Sequence, residues 1–295
     1  MTTHPNWPRP PRVAWVTAEV DFLDPDPDWD LEPTTAALRA AGLDVSTPHW
    51  DDASVDWSTF DLAIIRSTWN YAPQRDNFVA WAEHVARETT LLNPAHVVRD
   101  NTDKVYLERL QRLGVPIVPT QFVRPGESVD WSHEALSTAA RVVVKPTIGA
   151  GAIGASLNGD RTETSHAIAA HHDAGRTVLV QPYLDTVDTI GEVAIVVIDG
   201  EISHAVRKVP ALTVGGHGDA MEVVDVTAAQ RHVVGQVAAA VPEWSELLYA
   251  RVDVVPDLAG NWQLMELELT EPTLFLGLSP NATAAFVDAV VRRLS

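Results

Sequence analysis

The 295-residue chain contains no cysteine and very little lysine. The absence of cysteine excludes disulfides, thiolate zinc sites, iron–sulfur clusters and cysteine nucleophiles. Of the 21 basic residues only three are lysines, namely Lys104, Lys145 and Lys208, and the rest are arginines. Average usage would give roughly five times as many lysines. Each of these three positions therefore requires an explanation.

Long apolar runs and a positive charge excess are also missing. No apolar run approaches the ~20 residues that a membrane span needs. Acidic residues outnumber basic ones by 40 to 21, which gives a net charge of −19. Nucleic acids and anionic membranes would repel such a chain, so we expect neither as a partner. The Pro-rich residues 1–12 lack a signal-peptide core and predict a flexible tail. We expect a cytoplasmic protein that handles small molecules.

The element pattern predicts three units. In residues 13–98, short buried strands alternate with amphipathic helices, which is typical of an α/β domain with a parallel sheet. Residues 99–184 predict a second unit, in which Thr102 caps a helix that ends near Leu113. Further strands are expected at 117–123 and 142–145. Residues 185–295 predict a hairpin-rich third unit, closed by a helix that buries Phe286, Ala289, Val290 and Leu294.

The hairpin of residues 249–255 and 262–269 places charged residues on one face. With a turn centred on Ala259-Gly260, Asp253 pairs with Glu266 and Arg251 with Glu268, and all four side chains share that face. Three carboxylates there are costly if they are buried without a partner. A hard divalent ion such as Mg²⁺ or Mn²⁺ would remove this cost. An exposed polar face with one ion pair is the alternative.

A glycine-rich segment follows the strand that ends at Lys145. Its glycines Gly149, Gly151 and Gly154 form a GxGxxG pattern, which is typical of dinucleotide sites when a helix begins within it. No helix start is visible here, so phosphate contact in another topology, or a plain turn, is favoured. A lysine beside the loop suits this, because its compact charge reaches phosphate oxygens from several directions.

Two more segments carry candidate contacts. In the hairpin around Asp199-Gly200, a two-residue turn would pair Glu192 with Arg207. In the first unit, residues 66–71 follow a strand end, where ligands of α/β sheets bind. This loop predicts a small-molecule cradle, although packing of its aromatic residues is equally compatible. Its residues are Arg66, Ser67, Thr68, Trp69, Asn70 and Tyr71.

The order of these features resembles the ATP-grasp ligases of the glutathione-synthetase and ribosomal-modification-ligase type. The resemblance covers about residues 93–295. It implies a mixed α/β (α+β) ATP-grasp fold, in which a Rossmann-like N-terminal domain precedes two α+β subdomains that clasp ATP. The shared order is Lys104, the strand with Lys145 and its glycine loop, Gln181 to Leu184, Asp253, and Glu266-Leu-Glu268 before Pro272.

The same resemblance implies roles for individual residues. Lys208 or Arg207 would contact the γ-phosphate, and Arg251 would stabilise an anionic intermediate. Asp253, Glu266 and Glu268 would bind magnesium, with manganese as the alternative, although the family usually has asparagine in place of Glu268. The nucleotide would lie against Lys104, Lys145, Gly149, Gly151, Gly154, Ser156, Gln181, Tyr183, Leu184 and Asp188.

The implied activity is ATP-dependent ligation of a small amino-acid-like substrate by a homodimer. A carboxylate would be activated as an acyl phosphate and then attacked by an amine. Residues 66–71, 101–107, 203–208 and 266–276 further resemble the cyclo-ligases of cycloserine biosynthesis, which close O-ureido-D-serine onto itself. Intermolecular amino-acid or peptide ligation and a non-catalytic nucleotide-binding module remain alternatives. A nicotinamide oxidoreductase is a third.

Overall fold

The computed structural model describes residues 7–19, 28–149, 151, 153–208 and 221–294. The strands are β1 Arg12–Val16, β2 Asp44–Ser46, β3 Leu62–Ile65, β4 Thr90–Leu92, β5 Gln121–Val123, β6 Val142–Pro146, β7 Ser156–Asn158, β8 Val178–Pro182, β9 Glu192–Ile198, β10 Glu201–Lys208, β11 Met221–Val224, β12 Tyr249–Pro256 and β13 Trp262–Glu268. The helices are α1 Leu31–Ala40, α2 Arg75–Glu88, α3 Ala95–Asn101, α4 Tyr106–Arg112, α5 Glu134–Ser137, α6 Arg161–Asp173, α7 Thr186–Thr189, α8 Ala228–Ala240 and α9 Ala282–Arg293.

The strands form three sheets. The first is parallel, as predicted, in the order β2-β1-β3-β4. The second, β5-β8-β6-β7, and the third, β11-β10-β9-β12-β13, are antiparallel. This combination confirms the predicted mixed α/β class. The short strands of the first sheet are mostly apolar because helices cover both faces of that sheet. The third sheet is built from hairpins.

One core cluster joins the first and third sheets. Trp15 of β1, Leu38 of α1 and Val196 of β9 belong to it, together with Phe286 of α9. Phe286, Ala289 and Val290 are buried as predicted, and Leu294 packs at the edge of the cluster. Full burial of a side chain such as Phe286 stabilises the fold by about 2 kcal/mol. Helix α9 therefore holds the N-terminal domain against the back of the third sheet.

The predicted helix from Thr102 to Leu113 is wrong at its start. Thr102 instead ends α3, and its hydroxyl donates to the Val98 carbonyl at 2.8 Å. The Asn101 side chain donates to Leu267 O at 2.8 Å and accepts from Leu269 N at 2.7 Å. These contacts to the end of β13 fix the chain between α3 and α4. Lys104 therefore lies in a turn and not on a helix.

Two other boundaries differ from the prediction. Residues 7–12 are not a loose tail, since Trp7 packs against the core, Arg9 pairs with Asp61 at 2.7 Å and β1 begins at Arg12. The strand predicted at 117–123 is shortened to β5, and Ile117 makes only an isolated bridge. Asp30 is fully buried, although it is a charged residue just before α1. Most of the glycine-containing segment 211–222 lies outside the described residues.

Candidate active site

The strands β12 and β13 bring the predicted charged residues onto one face of the third sheet. Asp253 pairs with Glu266 and Arg251 with Glu268, as the sequence register predicts. The alternate residues Val252 and Leu267 point into the core on the opposite face. A bulge follows Asp253 toward the turn, so the register of the outer half shifts while the inner half is kept.

The predicted pairing of Glu192 with Arg207 is wrong by one residue. A bulge between Ile202 and His204 shifts the register of β10, so Lys208 lies opposite Glu192. A one-residue shift exchanges the two faces of a strand. Lys208 therefore turns toward the carboxylates, and Arg207 forms its ion pair with Glu222 instead.

Lys208 is held between two carboxylates. Its Nζ contacts Glu192 and lies 3.1 Å from Asp253 Oδ2. Gly191 permits the close approach of the Lys208 backbone, because a Cβ at position 191 would lie 2.9 Å from the Lys208 carbonyl oxygen. Arg251 completes the group, with Nε 2.9 Å from Asp253 Oδ1 and Nη2 in contact with Glu268.

The other two lysines meet at Glu266. Lys104 Nζ lies 3.1 Å from Glu266 Oε1, and Lys145 Nζ lies 3.7 Å from Glu266 Oε2. Lys104 also donates from Nζ to the Gly149 carbonyl at 2.6 Å, which ties it to the glycine loop. All three lysines of the chain thus lie against carboxylates of one sheet face.

Burial and neighbouring charges shift the pKa values of the carboxylates in this centre. Burial would raise the pKa of Glu266, but Lys104 and Lys145 outweigh it and lower that pKa to about 2. Burial raises the pKa of Glu192 and of Glu268 to about 7, although Lys208 and Arg251, respectively, oppose the shift. Burial also disfavours ionised Asp253, but Arg251 and Lys208 hold its pKa well below the ordinary value.

The predicted metal ligands are engaged by cations of the protein itself. Asp253, Glu266 and Glu268 each contact a lysine or an arginine. Within the described ranges, no three carboxylate or histidine residues converge closely enough to hold a metal ion. The oxygen donors suit Mg²⁺ or Mn²⁺ chemically. Such an ion would require Arg251 and the lysines to release part of these contacts.

Four of the predicted nucleotide contacts lie between the second and third sheets. Gln181 in β8 is buried and donates to the Thr120 hydroxyl at 2.8 Å. The Tyr183 ring stacks on the Arg141 guanidinium, 4.2 Å away, and its hydroxyl contacts Asp188. Asp188 also pairs with Arg141 at 3.0 Å. Leu184 packs on a small cluster that contains Val118 and Val255.

The glycine loop joins two antiparallel strands, β6 and β7. No helix begins within its described residues, which removes the dinucleotide reading. Gly154 has φ of +76°, and its carbonyl lies 2.9 Å from His171 Nε2. The His171 side chain is therefore buried against the loop. Ser156 begins β7, while residues 150 and 152 lie outside the described part of the chain.

The loop 66–71 divides into buried and accessible parts. The Arg66 side chain is only 2% exposed, lies 3.3 Å from Asp30 and donates to Pro272 O at 2.7 Å. It fits between Trp15 and Tyr249, so it connects the domains instead of facing a ligand. Thr68 is also buried, whereas Ser67 remains partly accessible.

The remaining residues of the loop 66–71 contact either Glu271, beside the charged face, or residues 50 and 51. Asn70 accepts from Trp50 Nε1 at 2.6 Å and donates to Asp51 at 3.1 Å. Trp69 Nε1 donates to the Glu271 carbonyl at 3.0 Å. The buried Tyr71 directs its hydroxyl at the Glu271 side chain.

Two central carboxylates were missed or misassigned by sequence reasoning. Glu271 was not singled out, although it directly precedes Pro272 and follows the Glu266-Leu-Glu268 pattern by three residues. Glu192 was expected to pair with Arg207, but it contacts Lys208 inside the site. Only the β10 bulge reveals this position, and the sequence carries no glycine there to signal it.

Comparison with known proteins identifies the class. Residues 117–280, more than half of the chain, match the family model of the prokaryotic glutathione synthetase ATP-grasp domain. The chain belongs to the ATP-grasp ligases, and it is an ATP-dependent carbon–nitrogen ligase. No helix in the described ranges is both long and apolar enough to cross a membrane.

The particular relatives are proteins of cycloserine biosynthesis. Residues 13–93 match the model of the N-terminal domain of D-cycloserine synthetase DcsG. The cycloserine biosynthesis protein DcsG of Streptomyces lavendulae is 34% identical over 286 residues, which cover 90% of this chain and 94% of that protein. The crystal structure of D-cycloserine synthetase DcsG superposes with a TM-score of 0.88 at 32% identity, covering 96% of this chain and 100% of the other.

A more distant structure shows how widely the fold is shared. The ATP complex of D-alanine–D-alanine ligase from Bacillus anthracis gives a TM-score of 0.67 at 16% identity, with 96% of each chain covered. This likeness concerns the fold alone.

Proposed function

We propose that the protein activates the carboxylate of a small amino-acid-like substrate with ATP and closes that substrate onto itself. The reaction proposed is the conversion of O-ureido-D-serine to D-cycloserine. The observation that carries the proposal is the similarity to DcsG at both ends, in the N-terminal domain and across the ATP-grasp domains. The N-terminal domain supplies the loop that adjoins the catalytic face.

The charged face supports transfer of a phosphoryl group. Attack of the substrate carboxylate on the γ-phosphate would form an acyl phosphate and ADP. The substrate nitrogen that is bonded to oxygen would then attack the acyl carbon, close the ring and displace phosphate. Hydrolysis of the carbamoyl group on that nitrogen, with release of carbon dioxide and ammonia, would leave D-cycloserine. Lys104, Lys145 and Lys208 would neutralise phosphate charge, because lysine offers a rotatable point charge. Arg251 would stabilise the anion formed at the acyl carbon.

Magnesium belongs to the same proposal, with manganese as the alternative. Asp253, Glu266 and Glu268 would hold it, since hard divalent ions prefer carboxylate oxygens. The metal would supply additional positive charge at the phosphates. In its presence the lysines would exchange their carboxylate partners for phosphate oxygens.

The nucleotide contacts are proposed for the remaining residues of the second subdomain. Gly149, Gly151, Gly154 and Ser156 would cover the phosphates, and Gln181 with the backbone of Tyr183 and Leu184 would face the purine. Asp188 would hold the ribose, in place of part of its pairing with Arg141. A homodimer in the cytoplasm is part of the proposal, and sedimentation and cell fractionation test it.

The experiment is product analysis with the purified protein, ATP, Mg²⁺ and O-ureido-D-serine. We expect ADP, phosphate, carbon dioxide, ammonia and a cyclic product whose atoms all come from a single substrate molecule. Lys145→Ala should lower turnover by about 100-fold or more. Arg112→Ala is the control, since this side chain is 73% exposed on α4 and should leave turnover unchanged.

Intermolecular ligation is the second candidate, because residues 117–280 match the glutathione-synthetase domain. A product whose mass combines two different amino acids would support it and contradict cyclisation. ATP binding without turnover on any carboxylate substrate would contradict both.

A further inference from the structure

Glu271 stands where the N-terminal domain meets the catalytic face. The backbone of residues 270–272 is fixed by three hydrogen bonds, and each comes from a different side chain. Trp69 Nε1 donates to Glu271 O at 3.0 Å, Arg66 donates to Pro272 O at 2.7 Å, and the Tyr249 hydroxyl donates to Thr270 O at 2.7 Å. The direction of the Glu271 side chain is therefore set by the loop 66–71 as much as by β13.

The side chain of Glu271 points toward the charged centre. The Tyr71 hydroxyl is directed at its carboxylate, and the charges of Lys104, Glu266 and Arg251 act on it. Tyr71 itself is buried, so its hydroxyl has a fixed position. Glu271 thus lies on the side of the centre that faces the N-terminal domain.

Glu271 differs from the other central carboxylates in its partners. Glu192, Asp253, Glu266 and Glu268 each lie within 4.0 Å of a lysine or arginine nitrogen. Among the residues that the structure describes, none forms such an ion pair with Glu271. A half-buried carboxylate without a counter-ion is costly, and a cation supplied by a ligand would remove that cost.

We propose that Glu271, held by Tyr71 and Trp69, binds the protonated amino group of the substrate. The inference rests on the proposed function, in which the substrate carries an amino group that does not react. A contact with this ammonium would fix the orientation of the carbon chain, so that the carboxylate faces the lysines and the phosphates. Burial, which raises the pKa of Glu271 to about 7 in the absence of a ligand, is consistent with a missing cation.

The test measures discrimination between two substrates. The probes are O-ureido-D-serine and the analogue in which hydrogen replaces the amino group. The wild-type enzyme should prefer the amino compound in kcat/KM, because a hydrogen bond between charged groups is worth about 1.5–3 kcal/mol, or roughly 10- to 150-fold. In Glu271→Gln this preference should fall to within about threefold, while the KM for ATP stays unchanged.

The controls separate positioning from folding. Glu271→Asp keeps the charge and should retain part of the preference. Tyr71→Phe removes the hydroxyl that orients Glu271, and it should raise the KM of the amino compound more than that of the analogue. Thermal unfolding of each variant shows whether the fold is kept.

Each outcome has a distinct meaning. Equal losses for both substrates in Glu271→Gln, or an unchanged preference, would overturn the inference while leaving the proposed function intact. Absence of ATP turnover with O-ureido-D-serine in the wild-type enzyme would instead overturn the proposed function.

Discussion

At the scale of single residues, neighbouring cations of β10 face different surroundings. Lys208 contacts Glu192 and Asp253, whereas Arg207 pairs with Glu222 and is 44% exposed. An ion pair at the surface is worth little, because water screens it. A cation between buried carboxylates compensates charges that have no other solvation. The bulge in β10 thus decides which of the two residues belongs to the site.

The two variants Lys208→Ala and Arg207→Ala test this assignment. We expect Lys208→Ala to lower kcat/KM by about 100-fold or more, as loss of one charge-stabilising donor typically does. Arg207→Ala should stay within about threefold of the wild type. Steady-state assays with saturating Mg²⁺–ATP measure both, and equal losses in the two variants would contradict the assignment.

His204 links a single residue to the pH dependence of stability. Its Nε2 lies 3.0 Å from Leu274 O and its Nδ1 lies 3.0 Å from the Ser203 hydroxyl, an arrangement that suits a neutral ring. Burial lowers its pKa below 6.5, although nearby Asp30 opposes the shift. The unfolded chain therefore binds a proton more readily than the folded one, and stability falls as the pH drops below about 6.5.

His204→Gln should flatten that dependence. The amide of glutamine can still donate to the Leu274 carbonyl, but it does not titrate. We expect the loss of unfolding free energy between pH 7 and pH 5 to be about 1 kcal/mol smaller than in the wild type. Urea unfolding at the two pH values measures this, and parallel curves for both proteins would contradict the expectation.

At the scale of elements, the sequence pattern predicted those features of strands and helices that depend on residues close in sequence. Turn chemistry and periodicity predicted the hairpin of β9 and β10 and the apolar face of α9. They also predicted the pairing of Asp253 with Glu266. They did not predict the break between α3 and α4, because contacts of Asn101 with β13, distant in sequence, fix it. The β10 bulge and the partners of Arg66 are also set by tertiary packing. The sequence therefore predicted that Lys208 faces the phosphates, but not its contacts with Glu192 and Asp253.

Helix α8 shows an element whose start is set by its own sequence. Thr227 accepts from Gln230 N at 3.3 Å, and the Gln230 side chain accepts from Thr227 N at 2.8 Å, which forms a capping box. Thr227→Ala should lower the unfolding free energy by about 1 kcal/mol, whereas Thr227→Ser should cost only a few tenths of that. Chemical denaturation compares the variants, and an equal loss for serine and alanine would show that packing of the methyl group matters more than the cap.

At the scale of the whole molecule, Asp30 connects the N-terminal domain to the segment that follows β13. Its carboxylate accepts from Leu274 N at 2.7 Å and from Leu276 N at 2.8 Å, and it lies 3.3 Å from Arg66. Arg66 in turn donates to Pro272 O. One buried acid of the N-terminal domain thereby fixes residues 272–276, which directly follow Glu271. The position of the catalytic face relative to the substrate domain depends on this connection.

Removal of that carboxylate should therefore affect both stability and substrate binding. Asp30→Ala leaves two backbone amides without their acceptor and a buried guanidinium without its counter-ion, so we expect a loss of about 3–5 kcal/mol in unfolding free energy. Asp30→Asn retains an acceptor oxygen and should lose less. If Asp30→Asn folds, its KM for the amino substrate should rise while its KM for ATP stays near the wild-type value, because the nucleotide contacts lie in the second subdomain. Calorimetric titration measures ATP binding, and steady-state kinetics measure the KM of the amino substrate. An equal rise in the KM for ATP and in the KM for the amino substrate would contradict the expectation. It would mean that the contacts of Asp30 support the whole fold instead of orienting the substrate side.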